Sequence, residues 1–305
     1  MNSLPTRSLV PVSSPTTSPP TPQPSPKSVM SSQAPLDIQA EFRRPIEIYN
    51  ESPQSETVKV LLMGEPGTGK TSLLRTCPAP VVCFMFDPGG EKVLREEIRQ
   101  GRVIPKIFSR EDYKKPTVWE SFDKEFHRLL NGGFFNHVGT VAIDSLTSLS
   151  DFIMSYILYK GGRPGGVPNR NTDYMPVKSA IQNLRSELLG LPCHVIMTAH
   201  PGIEKDDVSG RVSSHPMVVG DLKEKLTIAF DECWISIAKP GATKSEYWIQ
   251  TSNDGYYKAS SRLAQLGNFE KFERPDFKAL LKKAGYSIED KSLFNSSKQT
   301  EGSQS

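Results

Sequence analysis

The chain has 305 residues, a length that allows one large domain or two small ones. Hydrophobic residues make up 36% of it, which is enough for one substantial core. The 37 basic and 34 acidic residues nearly cancel, so net charge alone does not indicate a nucleic-acid partner. No apolar stretch approaches the roughly 20 residues that span a bilayer, and the N-terminus lacks the apolar core of a signal peptide. We therefore expect a soluble, cytoplasmic protein without a membrane partner.

The cysteines are far apart in the sequence, at Cys77, Cys83, Cys193 and Cys233. Three of them lie in or beside apolar runs, and their spacing is typical of neither a zinc site nor a disulfide framework. We expect reduced thiols.

Composition divides the chain into three parts. Residues 1–41 are dominated by Pro, Ser and Thr, which bury too little apolar surface to offset the entropy of ordering, so a disordered tail is predicted. Such a tail is passive or carries a proline-rich motif for a protein partner. Residues 42–286 read as one folded unit, and 287–305 form a polar C-terminal tail.

Within the folded unit, short apolar runs alternate with helical patterns. The predicted strands are 58–63, 80–86, 140–143 and 194–199, and the predicted helices are 70–76, 92–100, 119–131, 149–159 and 175–189. Apolar strands separated by helices predict a parallel sheet covered on both faces. Runs at 233–239 and 246–252 flank the turn-rich segment PGATKS, which favours a hairpin. The predicted fold class is α/β, with a mostly parallel central sheet and a C-terminal antiparallel hairpin.

The segment GEPGTGKT follows the first strand and opens a helix, as a phosphate-binding loop requires. Its glycines let the backbone N–H groups approach phosphates closely. Lys70 is expected to reach the β- and γ-phosphates, and the Thr71 hydroxyl to bind Mg²⁺. The predicted nucleotide-binding residues are Gly64, Glu65, Pro66, Gly67, Thr68, Gly69, Lys70, Thr71 and Ser72.

A second chemical signal is TVAIDSLTSL, in which a strand delivers Asp144 at its carboxyl end, where open parallel sheets bind ligands. Asp144 is expected to hold Mg²⁺ through water, as a Walker-B carboxylate does. The alternative is that Asp144 is only a cap or turn residue. Ser145 is an accessory candidate or a helix cap.

The order of these motifs resembles the RecA/RadA core. More closely, residues 58–262 resemble the phage-encoded RecA-like ATPases grouped with single-strand annealing recombinases, through the P-loop, AIDSLTSL and the strand end MTAH. The resemblance implies a RecA-like P-loop NTPase core, ATP dependence, homo-oligomers with nucleotide at subunit interfaces, and action on single-stranded DNA. A phage-encoded protein would work in the bacterial host cytoplasm.

The resemblance also implies catalytic roles. His200 matches the residue that senses the γ-phosphate, although a strand-terminal His can simply cap a turn. The family's water-orienting glutamate falls at Gly89 in FDPGGEKVL, so Asp87 or Glu91 would have to replace it, with Asp87 slightly favoured. If neither does, hydrolysis is slow or needs a partner.

Arg262, in YYKASSRL, matches the arginine of a basic pair that enters a neighbouring subunit's site. Ser260 stands where the lysine would be, and Lys258 is displaced, so the pair is incomplete. The alternative is a solvated basic cluster.

Two segments are candidates for DNA contact. The loop YKGGRPGGVPNRN, residues 159–171, contains Lys160, Arg163 and Arg170 and no acidic residue, which suits a flexible contact to phosphates. A second predicted loop, 201–219, contains Lys205 and Arg211 among acidic residues, so its case is weaker. Solvated loops have similar compositions.

The predicted function is ATP binding and hydrolysis by a protein that acts on single-stranded DNA in phage-type recombination, annealing or replication. A DNA-packaging or helicase-loading ATPase that acts on a protein partner is the alternative enzyme. A nucleotide-gated switch without catalysis is the third interpretation, favoured by the missing glutamate and the incomplete basic pair.

Overall fold

The computed structural model describes residues 37–205, 210, 212–220 and 222–291. Most of the two predicted tails, and Arg211, lie outside these residues. The chain divides after Ile46 into two compact units. Helix α1, Ile38–Glu51, begins before residue 42, where the folded unit was predicted to start. The Asp37 carboxylate caps it by accepting hydrogen bonds from the N–H groups of Gln39 and Ala40, at 3.0 and 3.1 Å.

The second unit contains the remaining elements. Its strands are β1 Lys59–Met63, β2 Val81–Met85, β3 Val103–Ile107, β4 Thr140–Asp144, β5 His194–Ala199, β6 Pro201–Lys205, β7 Val212–Pro216, β8 Glu232–Lys239, β9 Glu246–Gln250, β10 Ser260–Ser261 and β11 Phe272–Glu273. Its α-helices are α2 Gly90–Val93, α3 Arg95–Arg99, α4 Val118–Asn131, α5 Leu146–Lys160, α6 Tyr174–Leu189, α7 Leu222–Ala229 and α8 Phe277–Lys283, and its 3₁₀-helices are Pro53–Glu56, Thr71–Thr76, Phe134–His137 and Leu263–Gln265. None of the helices in the described ranges is long and apolar enough to cross a membrane.

The central sheet has the strand order β11-β9-β8-β1-β5-β4-β2-β3, with β10 paired to β8. The six strands from β8 to β3 in this order run parallel to one another. Antiparallel pairs are formed by β8 with β9, β8 with β10, and β9 with β11. Every residue of β1, β2, β4 and β5 is buried, because helices cover both faces of a parallel sheet. The predicted α/β fold with a C-terminal antiparallel hairpin is confirmed.

A separate hydrophobic core lies on each face of the sheet. On one face, α4 buries Val118, Phe122, Phe126 and Leu129, which recur at helical spacing and pack with Phe84 of β2. On the other face, α8 packs Phe277 against Trp234, among the alternate side chains of β1 and β8. The two cores hold the strands so that β1, β4 and β5 end together at one edge of the sheet.

Several elements differ from the sequence prediction. The helix predicted at 92–100 is two short helices, α2 and α3, and the helix predicted at 70–76 is a 3₁₀-helix. Strand β3 was not predicted, because its sequence VIPKI contains Pro105 and Lys106. A position at the sheet edge tolerates both residues, since only one side of the strand is paired.

The described part of the second unit extends past residue 286, where the folded unit was predicted to end. The Asp290 carboxylate accepts hydrogen bonds from Arg102 and Lys278, at 2.8 Å each, and from the N–H of Ala79 at 2.7 Å. Although burial raises the pKa of Asp290, these donors lower it to about 2. This carboxylate therefore attaches the end of the described chain to the sheet.

The buried His194 predicts how stability depends on pH. Its Nδ1 accepts the Val58 N–H at 3.1 Å, and burial lowers its pKa from 6.5 to about 3. The unfolded chain therefore takes up the proton first as the pH falls. We expect the free energy of unfolding to decrease between about pH 6.5 and pH 3, by up to about 1.4 kcal/mol per pH unit.

Urea unfolding at about pH 7 and about pH 5 measures this slope. His194→Gln is expected to reduce the slope, whereas His137→Gln, at an exposed position, is expected to preserve it. An equal slope in wild type and His194→Gln would contradict the assignment.

Candidate functional site

The P-loop lies between β1 and the 3₁₀-helix Thr71–Thr76. Gly67 and Gly69 have φ angles of 79° and 95°, a left-handed conformation that side chains rarely adopt. The ammonium of Lys70 donates to the carbonyl oxygens of Gly64 at 2.6 Å and Glu65 at 3.0 Å. The loop is thus wound around the lysine, as the sequence predicts for a phosphate-binding loop.

Asp144, at the end of β4, lies next to the P-loop. One carboxylate oxygen accepts the Thr71 hydroxyl at 2.7 Å, and the other accepts the Thr198 hydroxyl of β5 at 2.5 Å. Burial raises the pKa of Asp144, and the two hydrogen bonds partly oppose that rise. Burial also lowers the pKa of Lys70, which the nearby Asp144 opposes. The site therefore holds the buried carboxyl group of Asp144 close to the buried amino group of Lys70.

The donor set beside the P-loop fits a magnesium ion. Mg²⁺ binds oxygen ligands, and proteins usually supply one or two of them while substrate phosphates and water supply the rest. Thr71 and Asp144 offer a hydroxyl and a carboxylate oxygen within 2.7 Å of each other. Gly90 borders the space beside them. A Cβ at this position would lie in van der Waals contact with Asp144 Oδ2, at 3.6 Å, and would occupy part of that space.

Asp87 and His200 meet at the same edge of the sheet. Asp87 Oδ1 accepts the hydroxyl of Ser145 at 3.0 Å and also that of Ser148, while Oδ2 lies 3.4 Å from His200 Nε2. The N–H of His200 donates to the Thr147 hydroxyl at 3.0 Å, which ties the end of β5 to the first turn of α5. Ser145 also caps α5, as one of its two interpretations predicted.

These residues surround one cavity of about 490 Å³. Its lining consists of Pro66, Gly67, Gly69, Lys70, Thr71, Ser72, Leu73, Asp87, Val93, Asp144, His200, Tyr247 and Pro275. The structure thus places Asp87 in the cavity wall. Glu91, the other candidate for the catalytic base, is not among the lining residues, and its Oε2 is buried without a hydrogen-bond partner in the described part of the chain.

Comparison with known protein families identifies the domain. Residues 56–263 match the protein family described as AAA domain. The chain belongs to this AAA domain family. It therefore carries a P-loop ATPase domain, and the matched range includes every cavity-lining residue described above except Pro275.

Known structures include a similar chain, a KaiC-like protein from the hyperthermophilic archaeon Pyrococcus horikoshii OT3. The match has 14% identity and a TM-score of 0.38, and it covers 64% of this chain and 78% of the archaeal one. Among curated proteins, none matches this chain.

Arg262 lies at the edge of the AAA domain sheet opposite to the P-loop. It follows β10, which pairs with the first residues of β8, and its guanidinium binds Asp231 at 2.9 Å. The P-loop follows the other end of the neighbouring strand β1. Arg262 therefore does not contribute to the cavity of its own chain, and its predicted role concerns a neighbouring subunit only.

The predicted DNA loop follows α5, which ends at Lys160. Lys160 and Arg170 are exposed, whereas Arg163 binds Asp173 at 2.7 Å and also reaches the carbonyl of Val167. Asp173 lies just outside the segment 159–171. Counting only the residues within that segment therefore overestimated the number of its cations that are free of an acidic partner. Two of its three predicted cations remain unpaired by a salt bridge in the described structure.

The second predicted DNA segment differs in structure from the expectation. Most of the segment 201–219, predicted as a loop, forms the antiparallel strands β6 and β7. Its backbone is therefore hydrogen-bonded as a hairpin. Lys205 ends β6 and pairs with Val212, while Arg211 lies outside the described residues. The hairpin begins directly after His200, and the Met217 N–H donates to the His200 carbonyl at 2.8 Å.

Several contributors to the site were not found from the sequence, among them Tyr247, Ser236 and Ser148. Tyr247 packs against the P-loop, since a Cβ on Gly69 would lie 3.2 Å from its ring. Ser236 of β8 donates to the Thr68 carbonyl at 2.7 Å. Ser148 lies in the same motif as Ser145, and a register count from the N-cap of α5 would have found it. Tyr247 and Ser236 have no local signal, because the hairpin brings them in from the far end of the sequence.

Gly64→Ala tests the P-loop packing. A Cβ at this position would lie 2.6 Å from the Ser236 carbonyl oxygen and from Thr68 Oγ1, which is closer than such atoms approach. The loop must therefore shift, and we expect ATP affinity to fall at least about tenfold, equivalent to about 1.4 kcal/mol. Calorimetric titration with Mg·ATP measures it. Gly161→Ala, whose Cβ would meet its nearest atom at 3.5 Å, is the matched control, and equal affinities in the two variants would refute the packing argument.

Proposed function

We propose that the AAA domain binds Mg·ATP, hydrolyses it and acts on single-stranded DNA in phage-type recombination, annealing or replication. The observation that carries the ATPase part is the convergence of Lys70, Thr71, Asp144, Asp87 and His200 on one cavity. This convergence joins a cation for phosphates, oxygen ligands for a metal and a carboxylate for water.

Lys70 and the loop amides bind the phosphate end of the nucleotide. The lysine ammonium donates to two loop carbonyls, which are neutral acceptors. A phosphate oxygen that replaced one of them would accept the same hydrogen bond as an anion and bind the ammonium more strongly. Thr71 and Asp144 would hold Mg²⁺. The ion would supply positive charge that neutralises the phosphate oxygens during transfer.

Asp87 is the proposed group that orients the attacking water. Its carboxylate is held by hydroxyls on one oxygen and lies beside His200 on the other. A carboxylate with fixed rotation can accept a proton from water that lies within hydrogen-bond reach. His200 contacts this carboxylate and begins the hairpin β6–β7, so it is suited to report the state of the γ-phosphate to that hairpin.

The DNA part of the proposal rests on different support. Lys160, the last residue of α5, and Arg170, in the segment that follows, are exposed cations, and the N-cap of α5 is Ser145 beside Asp87. Electrostatic contact with phosphates needs cations on a segment that can follow the strand. The phage setting and the homo-oligomer come from the sequence resemblance, in which Arg262 would complete a neighbour's site.

One observation favours a second candidate, a nucleotide-gated switch. Asp87 Oδ1 already accepts the hydroxyls of Ser145 and Ser148, so Oδ2, which lies 3.4 Å from His200 Nε2, is the oxygen with room to accept a proton from water. Turnover would be slow if His200 kept water from this oxygen, and binding alone would then change the hairpin that begins at His200.

Lys70→Ala tests the ATPase proposal. It removes the ammonium that faces the phosphates, and we expect steady-state turnover to fall below about one hundredth of wild type, as loss of a transition-state contact of about 3 kcal/mol would cause. Turnover of the purified protein, measured with and without single-stranded DNA, gives the result. The control Lys282→Ala removes an exposed lysine of α8. Undiminished turnover in Lys70→Ala would sink the assignment, and no turnover in wild type would favour the switch.

Replacement of Lys160, Arg163 and Arg170 by Ala tests the DNA loop. Each lost phosphate contact lowers the salt slope of single-strand binding by about 0.7, so a decrease of about 1.5 to 2 is expected, allowing for the Arg163 pair with Asp173. Fluorescence anisotropy over a salt series measures affinity and slope. The control replaces three exposed cations elsewhere, Arg95, Arg99 and Lys282. An unaltered slope in the loop variant would place the DNA surface elsewhere.

A further inference from the structure

The outer strands of the sheet carry cations and aromatic rings on one face. In the antiparallel register, Ile237 lies opposite Trp248 and Gln250 lies opposite Phe272. Alternate residues of a strand share a face, so Lys239, Trp248 and Phe272 project from the same side. We call this surface the cation–aromatic face and define it by Lys239, Trp248, Lys271, Phe272 and Arg274.

The cations of this face lie over its rings. The Arg274 guanidinium is 3.8 Å from the centre of the Trp248 ring, and the ammonium groups of Lys239 and Lys271 are 4.0 and 5.4 Å from the centre of the Phe272 ring. Both rings are half-buried, whereas the three cations are exposed. A cation that turns outward from its ring to a phosphate leaves that ring face to a base.

The charge of this surface is predominantly positive. Two acids lie near it: Glu246, whose carboxylate is 3.9 Å from Arg274 Nη1, and Asp254, which interacts electrostatically with Lys271. The Glu246 and Arg274 side chains are largely exposed, at 48% and 63%, so water screens this pair and it contributes little. The three cations thus outnumber the acids beside them, a balance that favours an anionic partner.

The chemistry selects one class of anion. We propose that the cation–aromatic face binds single-stranded nucleic acid, with Lys239, Lys271 and Arg274 on phosphates and Trp248 and Phe272 against bases. Exposed bases occur in single strands, and stacking on aromatic rings combined with backbone cations is how such strands bind without sequence preference. Duplex nucleic acid and a lipid surface offer phosphates without accessible bases, so neither would use the rings.

This surface is separate from the predicted loop at 159–171. It goes beyond the proposed function by adding a second contact to the strand, and it does not require nucleotide hydrolysis. It also differs from the nucleotide cavity. Tyr247, which packs on the P-loop, is the residue before Trp248 and projects from the opposite face of β9.

The first test replaces Lys239, Lys271 and Arg274 by Ala. Anisotropy of a labelled oligothymidylate of roughly 20 nucleotides, longer than one single-strand site, reports binding over a salt series. We expect affinity near 0.1 M salt to fall at least about tenfold and the salt slope to decrease by about 2, because about 0.7 is lost per phosphate contact. The Arg95, Arg99 and Lys282 to Ala variant removes the same charge and is expected to keep both values. Equal affinity and slope in the wild type and the face variant would overturn the proposal.

The second test uses the fluorescence of Trp248. Trp234 is fully buried, and Trp119 packs against Phe122, beside β2 near the other end of the strand order, so oligothymidylate that stacks on this face should quench Trp248 selectively. We expect quenching in the wild type and in the variant of Lys160, Arg163 and Arg170, and its loss in Trp248→Phe. Quenching that persists in Trp248→Phe would overturn the ring contact.

Two further probes decide the partner class. A duplex that binds as tightly as oligothymidylate would overturn single-stranded nucleic acid as the ligand. The same conclusion would follow if the face variant lost binding to vesicles containing anionic lipid but bound oligothymidylate unchanged. Turnover of ATP without DNA is expected to be the same in the face variant and the wild type. A wild type that hydrolyses no ATP would refute the ATPase proposal and leave the anisotropy result on this face to be judged separately.

Discussion

The hydrogen bond from the Thr71 hydroxyl to Asp144 is the constraint on which the site depends. It joins the P-loop after β1 to the end of β4, although β5 lies between these two strands. Thr198 of β5 donates to the other carboxylate oxygen, so one buried acid is held both from the end of the P-loop and from β5. A buried carboxylate without such donors would cost several kcal/mol. The same arrangement therefore satisfies the buried acid and places side by side the two oxygens that are candidates for the metal.

The parts of this site that the sequence predicts are those with local causes. Gly67 and Gly69 encode the P-loop because their backbone angles exclude most side chains, and Asp144 is found because it ends an apolar strand. Strand β3 was missed because edge pairing, which tolerates Pro105, is a property of the sheet. The hairpin β6–β7 was read as a loop because its polar residues hide the alternation, and Tyr247 reaches the cavity through tertiary packing that no nearby residue signals.

Asp87 shows how the structure narrows a choice that the sequence leaves open. Sequence reasoning favoured Asp87 over Glu91 only slightly, because both follow β2 closely. The structure turns Asp87 into the cavity and leaves Glu91 outside its lining. The hydroxyls that fix Asp87 occupy Oδ1, so the carboxylate is oriented but has Oδ2 alone left to accept from water. Whether the domain turns over quickly or acts as a switch depends on which of these effects is larger.

The hairpin β8–β9 connects the nucleotide site with the cation–aromatic face. On one side of the hairpin, Ser236 donates to the P-loop carbonyl of Thr68 and Tyr247 packs on Gly69. On the other side, Lys239 and Trp248 belong to the proposed nucleic-acid surface. Neighbouring residues of a strand cannot move independently, so a shift of the P-loop that displaces Tyr247 also displaces Trp248. Coupling between nucleotide and single strand would then need no long pathway, since both ligands would contact opposite faces of the same two strands.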